Sequence, residues 1–184
     1  MSTDSQINRG IIQGSVLGPT LYAFMKSDLH SRSSKNITVK FANDTTLVVP
    51  ENSDVSLPDE FDHINGWATV NRMILNFIKT KEIVFHRLGP KKLHMFPSVE
   101  SIELVELVEQ AKLLGVILQN NFNVNSHVNY VLTLCSQRLF LLKRLRDQGL
   151  NYRQLDTVFQ AIVVSRILYA LPGWGPLIKN LQEE

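Results

Sequence analysis

The chain has 184 residues, 44% apolar and 20% charged, with a formal net charge of +2, an ordinary globular balance. That length holds one domain, or one domain with a small helical appendage, and the slight positive excess permits nucleic-acid binding without arguing for it. A single cysteine, Cys135, excludes an intramolecular disulfide and a cysteine-rich zinc site, and it suits a reducing compartment.

The first residues lack the basic stretch and apolar run of a signal peptide. No uninterrupted apolar run approaches the roughly 18 residues that span a bilayer. The expected setting is therefore intracellular, in nucleus or cytoplasm, with no membrane partner. His30, His63, His86, His94 and His127 show none of the spacings of helical metal ligands, and read as surface or packing residues.

Gly10, Gly14 and Gly18 mark a loop whose backbone can approach a neighbour closely. Pro19 suits the first residue of a helix, where its missing N–H is not needed. Leu21, Phe24, Met25 and Leu29 then give that helix one apolar face. Ile37, Val39 and Phe41 alternate with polar residues and predict a half-buried strand. Leu47 to Val49 predicts its partner, with the turn-prone Asn43-Asp44 between them and Asp44 at the hairpin tip.

Pro58, Asp59 and Glu60 predict a helix first turn, with acids near the positive end of its dipole. Phe61, Ile64 and Ala68 line one face of that helix, interrupted by Gly66. Glu82 to His86 and Leu113 to Leu118 read as further strands. The pattern then changes. Val128, Val131, Leu132, Cys135, Leu139 and Leu142 keep helical spacing, with Ser126 as N-cap and Gly149 as stop. Leu155, Val158, Phe159 and Ile162 begin a second helix, capped by Asn151 and ended before Pro172. The expected organisation is an α+β part, residues 1–122, followed by a helical part, residues 123–184.

Several segments carry chemistry-bearing residues, and each alone has a plain structural reading. Gln13-Gly14-Ser15 could be a loop feeding a helix, and Asn43-Asp44 an ordinary turn. Lys79 could be a solvated lysine, and Leu114-Gly115 a strand bulge. Arg138, Lys143, Arg144 and Arg146 could be a solvated helix face. Those readings predict no relation among the segments, yet their order has one.

In that order and spacing the segments resemble the reverse transcriptases of jockey-type LINE (non-LTR) retrotransposons. Gln13 to Pro19 resembles the second palm motif, which implies nucleotide and template contacts from Gln13, Gly14 and Ser15. Phe41-Ala42-Asn43-Asp44-Thr45-Thr46 resembles the metal-binding hairpin, usually Phe-Ala-Asp-Asp-Thr. There Phe41 and Ala42 would flank the nucleotide, and Asn43 and Asp44 take the catalytic positions. Trp67, Asn71 and the run Leu75 to Lys81 resemble the next motif, with Lys79 as candidate proton donor to the pyrophosphate. Leu114-Gly115-Val116 resembles the primer grip. His127, the helix through Arg146, and Tyr169 to Pro176 resemble the thumb, where Arg138, Lys143, Arg144 and Arg146 would track a nucleic-acid backbone.

The resemblance implies a partial palm, an antiparallel sheet with helices, followed by a helical thumb. It implies an RNA template, a DNA primer and deoxynucleotides as partners, with Mg2+ as the family's cofactor. Two such ions need hard, charged oxygens around them. Asn43 stands where the family has its first hairpin aspartate and brings no charge, so Asp44 is the one carboxylate left there. The early palm strand with the other aspartate is not in the sequence, and neither Asp4 nor Asp28 has the surroundings to replace it. Ile12 stands where the family usually has proline.

The expectation is a chain catalytically silent by itself, with Mg2+ weakly or not productively held at Asp44. It is also expected to self-associate through a sheet edge left without a neighbour. A domesticated, non-catalytic nucleic-acid-binding module is the alternative.

Overall fold

The structure is a computed structural model and describes residues 16–86 and 101–181. It contains helices and small two-stranded sheets, as an α+β chain should. Two compact units divide it. One runs through Phe77 and takes in Glu100–Leu104; the other comprises Ile78–Val99 and everything from Val105.

In the first unit, helix α1 spans Gly18–Met25 with proline in its first turn. Its expected apolar face is only partly covered. Leu29, just beyond the helix, is buried, while Leu21 and Phe24 stay exposed. An eight-residue helix has barely two turns to bury, and this one is held at its end by the buried Lys26 instead.

Strands β1 (Ile37–Phe41) and β2 (Asp44–Val48) pair antiparallel, from Ile37 opposite Val48 to Phe41 opposite Asp44. The loop is thus Ala42-Asn43, and Asp44 opens the second strand rather than sitting at the tip. Ala42 takes φ 48°, a left-handed geometry that costs alanine roughly 1 kcal/mol. The alternation is present, but its burial is opposite to expectation. Ile37, Val39 and Phe41 are 55%, 50% and 61% exposed, while Thr38 and Lys40 between them are half-buried. The polar face is the bonded one. The Ser31 and Thr38 hydroxyls lie 2.6 Å apart, and Lys40 Nζ donates to the Lys26 and Leu29 carbonyls at 2.7 and 2.8 Å.

Helix α2 spans Leu57–Val70, capped by Ser56, whose hydroxyl accepts from the Asp59 N–H at 3.3 Å. Glu60, Ile64 and Ala68 form its buried stripe at i, i+4 and i+8. Glu60, in the first turn as expected, is 0% exposed. Its carboxylate accepts from Arg32 N, Ser33 N and Asn36 Nδ2 at 3.0, 2.9 and 2.9 Å. One buried side chain therefore ties the 31–36 loop to the helix.

In the second unit, β3 (Lys81–Glu82) runs parallel to β4 (Glu106–Leu107), with Lys81 ion-paired to Glu106. Residues 113–118, expected as one strand, instead fold back on themselves. β5 (Gln110–Leu113) and β6 (Val116–Gln119) form a hairpin turned at Leu114 and Gly115, with φ 46° and 90°. Helix α3 spans Asn125–Asp147 and buries His127, Val131 and Cys135; its N-cap is Val124 rather than Ser126, and it stops before Gly149, φ 96°.

Helix α4 (Tyr152–Phe159) starts at the Asn151–Gln154 capping box. It passes through a wider π turn, Gln160–Val164, into α5, Ser165–Leu168. Val163 from that turn packs with Val131 and Cys135, flanked by Tyr130, Leu142, Phe159 and Ile162. A left-handed Ala170, φ 52°, then turns the chain into α6 (Leu171–Trp174) and a closing 3-10 turn, Gly175–Leu181. By length and composition alone Tyr152–Ile178 could cross a bilayer; the backbone break at Ala170 interrupts it as a helix.

Candidate nucleic-acid interface

The β1–β2 hairpin carries Phe41, Ala42, Asn43 and Asp44 together, all exposed. Beneath its turn lies a residue that the sequence reading passed over. Lys26 is 5% exposed, and its ammonium donates to the Ala42 carbonyl at 3.2 Å and the Thr45 hydroxyl at 2.8 Å, with the Asp44 carbonyl at 3.5 Å. Burial pushes its pKa down and the neighbouring Lys40 adds to this, while Asp44 opposes both. The Tyr22 hydroxyl is pushed up, by burial and then by the same carboxylate. A buried lysine thus serves the backbone oxygens of the turn. The local donor set for a metal is one amide, Asn43, and one carboxylate, Asp44. Among the described residues no three of His, Cys, Asp and Glu gather as a metal cluster.

Gln13, Gly14 and Ser15 lie outside the described residues. Of the next motif, Trp67 Nε1 donates to Asp28 Oδ1 at 3.0 Å, and Asn71 Nδ2 to the Trp67 carbonyl at 3.0 Å. Asp28 is therefore occupied as an anchor for that helix. Lys79, exposed, belongs to the second unit, as do the primer-grip and thumb candidates.

Leu114 and Gly115 form the β5–β6 turn, and one distant side chain holds them. Tyr169 Oη donates to the Leu114 carbonyl at 2.7 Å. A Cβ on Gly115 would lie 3.4 Å from the Tyr169 ring, and the positive φ already favours glycine there. Tyr169 is fixed in turn, its carbonyl accepting from Trp174 Nε1 at 2.9 Å. Trp174 meets His127 edge to face, ring centres 5.0 Å apart. His127 is 2% exposed; its Nδ1 accepts from Ile117 N at 3.3 Å. Burial depresses its pKa, helped by Arg166 and Lys112. His127 and the Tyr169–Trp174 segment, 42 residues apart in sequence at their nearest, thus buttress the turn at Leu114.

On α3 the four predicted cations divide. Arg138 is partly buried and donates to the Ile162 carbonyl. Lys143, Arg144 and Arg146 are exposed in the last turns, Arg146 within 3.6 Å of Asp147. Cations at a helix C-terminus also offset its dipole, which explains their placement without a partner.

Comparison with known proteins gives the class. Over 93% of its length the chain is 26% identical to the probable RNA-directed DNA polymerase from transposon BS of Drosophila melanogaster. It is 23% identical over 95% of its length to the probable polymerase from transposon X-element of the same species. The RNA-directed DNA polymerase from mobile element jockey of Drosophila funebris is 23% identical over 92%. The chain spans 20% of the length of each. No known-family profile matches it, and no solved structure does.

These relatives are transposon RNA-directed DNA polymerases, and along nearly its whole length the chain is similar to those of jockey-type non-LTR retrotransposons, the family its motifs resemble.

Proposed function

We propose that this chain is a stretch of a non-LTR retrotransposon reverse transcriptase, residues 1–122 corresponding to the later palm and 123–184 to the thumb, and that it binds nucleic acid without polymerising it. The observation that carries the reading is the hairpin Phe41-Ala42-Asn43-Asp44. It is an antiparallel hairpin whose sequence resembles the family's metal-binding hairpin, with an uncharged amide at one of the two ligand positions that the resemblance implies and the Lys26 ammonium on its turn. Paired magnesium ions need several carboxylates to offset their mutual repulsion. This donor set does not fit them, so Mg2+ is not held productively.

RNA template and DNA primer remain the partners that the similarity supports. Exposed cations on α3 neutralise phosphates, so affinity for a primer–template duplex should fall steeply with salt. Replacing Lys143, Arg144 and Arg146 together by alanine should flatten the log–log slope by up to about three units. Fluorescence anisotropy across a salt series measures it. An unchanged slope would return these side chains to a solvated face.

The hairpin adds a second partner. Its sheet has two strands, and its apolar face is exposed, a pairing template for another copy. Sedimentation at micromolar concentration should show species above monomer mass, reduced by Val39→Lys with Phe41→Lys. A sharp monomer with strongly protected hairpin amides would overturn this.

A further inference from the structure

Two cations in the second unit converge on one phenol. Lys112 Nζ donates to Tyr130 Oη at 2.8 Å and sits 4.3 Å from the ring centre. Arg166 Nη2 reaches the same oxygen at 3.5 Å, its guanidinium carbon 6.0 Å from the ring centre. Among the described residues neither forms an ion pair with a carboxylate. Two cations around a neutral hydroxyl, with no counter-charge, make a locally positive site that favours an anion. Neighbouring groups register that field. The Tyr130 hydroxyl is pulled below its ordinary range, chiefly by the bond from Lys112, and both cations help depress His127.

Arg166 also borders a cleft of about 440 Å³, shared with Arg138, Ser165 and Tyr169. Its Nε is buried and has no hydrogen-bond partner. A buried N–H without an acceptor costs free energy, so Arg166 carries donor capacity that the fold leaves unused. A guanidinium presents its donors as a fork matched to phosphate oxygens. Tyr169 on the cleft wall is the side chain bonded to the Leu114 carbonyl, so a ligand there lies beside the residue that fixes the β5–β6 turn.

We infer that Arg166 on the wall of this cleft binds a phosphate group there, with Lys112, which shares the Tyr130 hydroxyl with it but does not line the cleft, adding its positive charge. The motif residues did not single out Lys112 or Arg166, because the site draws on β5, α3 and α5 together. The site itself stands on its own geometry. Only the source of the phosphate, a nucleic-acid strand rather than free phosphate, rests on the proposed function.

Titrating the full chain with inorganic phosphate, observed at arginine Nε–Hε resonances by NMR, reads the site directly. The Arg166 signal should shift and saturate. Lys112→Gln, at an exposed position, should weaken phosphate about tenfold, the loss of one charge-assisted interaction; Arg166→Gln, checked for folding by circular dichroism, should abolish the response. A duplex arm separates the sources. If a strand's phosphodiester occupies the site, each substitution lowers the salt slope of duplex binding by about one unit. If the phosphate response holds while the duplex slope does not change, the ligand is free phosphate, whatever the fate of the nucleic-acid reading. No saturable shift at Arg166, or phosphate affinity unchanged in Lys112→Gln and Arg166→Gln alike, would overturn the site.

Discussion

Supplied with a primed RNA template, deoxynucleotides and magnesium or manganese, the 184-residue chain should extend no primer beyond a protein-free control. The reason is charge. In phosphoryl transfer the protein contributes little covalent chemistry; metal ions and positioning supply most of the stabilisation. A metal clamp is worth several kcal/mol at the transition state, and each ~1.4 kcal/mol is tenfold in rate. Losing it takes synthesis below detection. At this hairpin Asn43 offers a neutral oxygen where a carboxylate is needed. The Lys26 ammonium, bonded to the Ala42 carbonyl, adds positive charge on the side from which the turn is held. Manganese gives a second readout through paramagnetic broadening of amides 41–46. Broadening should be weak in the native sequence and stronger in Asn43→Asp, which restores one charge. Extension above the control, or broadening in the native protein as strong as a working manganese site gives, would make the hairpin a metal site after all.

How far the sequence carried this reading differs from element to element. The β1–β2 hairpin was legible because period-two alternation and a turn pair are local signals. Which face is covered was not, since alternation states that two faces differ and not which one meets a neighbour. Here the bonds from Lys40 and Thr38 covered the polar side. The α3 helix and the Asn151 cap were legible for the same local reason, but of the predicted stripe Leu132 and Leu139 stay exposed. Residues 113–118 misled because an apolar run gives no sign of a reversal when the reversing residues, Leu114 and Gly115, look like strand with a bulge. Long-range partners lay beyond spacing altogether. The bond from Tyr169 to Leu114 spans 55 residues, and those from Lys26 to Ala42 and Thr45 span 16 and 19. A lysine amid apolar residues on a short helix was the one hint for Lys26, and it is a weak one.

Glu60→Ala should be the most damaging single substitution in the first unit. Its carboxylate is the acceptor for two backbone N–H groups and the Asn36 amide, all in the 31–36 loop. Alanine strands three donors, and a buried donor without a partner costs about 1–3 kcal/mol; roughly 3–5 kcal/mol in all is a large share of a small unit's stability. Urea unfolding should show that loss, and the backbone amides of residues 32 and 33 should lose exchange protection first. Acid should do the same more gradually. Burial alone raises the Glu60 pKa, but the bonds from Ser33, Arg32 and Asn36 outweigh it, and the net shift is downward from 4.5. A carboxyl depressed in the folded state stabilises fully above its unfolded pKa and loses that contribution as pH falls through the folded value. The first unit should therefore weaken below about pH 4.5, and Glu60→Gln should not share that dependence. In the second unit, His127 gives an earlier onset. Its pKa is depressed from 6.5 by burial, then by Arg166 and Lys112, so stability is complete above 6.5 and declines as the pH drops toward the folded value. Hydrogen exchange followed from pH 7 to 4 should thus show α3 amides loosening before the 31–36 loop. The reverse order would overturn the role given to His127, and a Glu60→Ala loss under about 1 kcal/mol would mean that this carboxylate does not hold the first unit together.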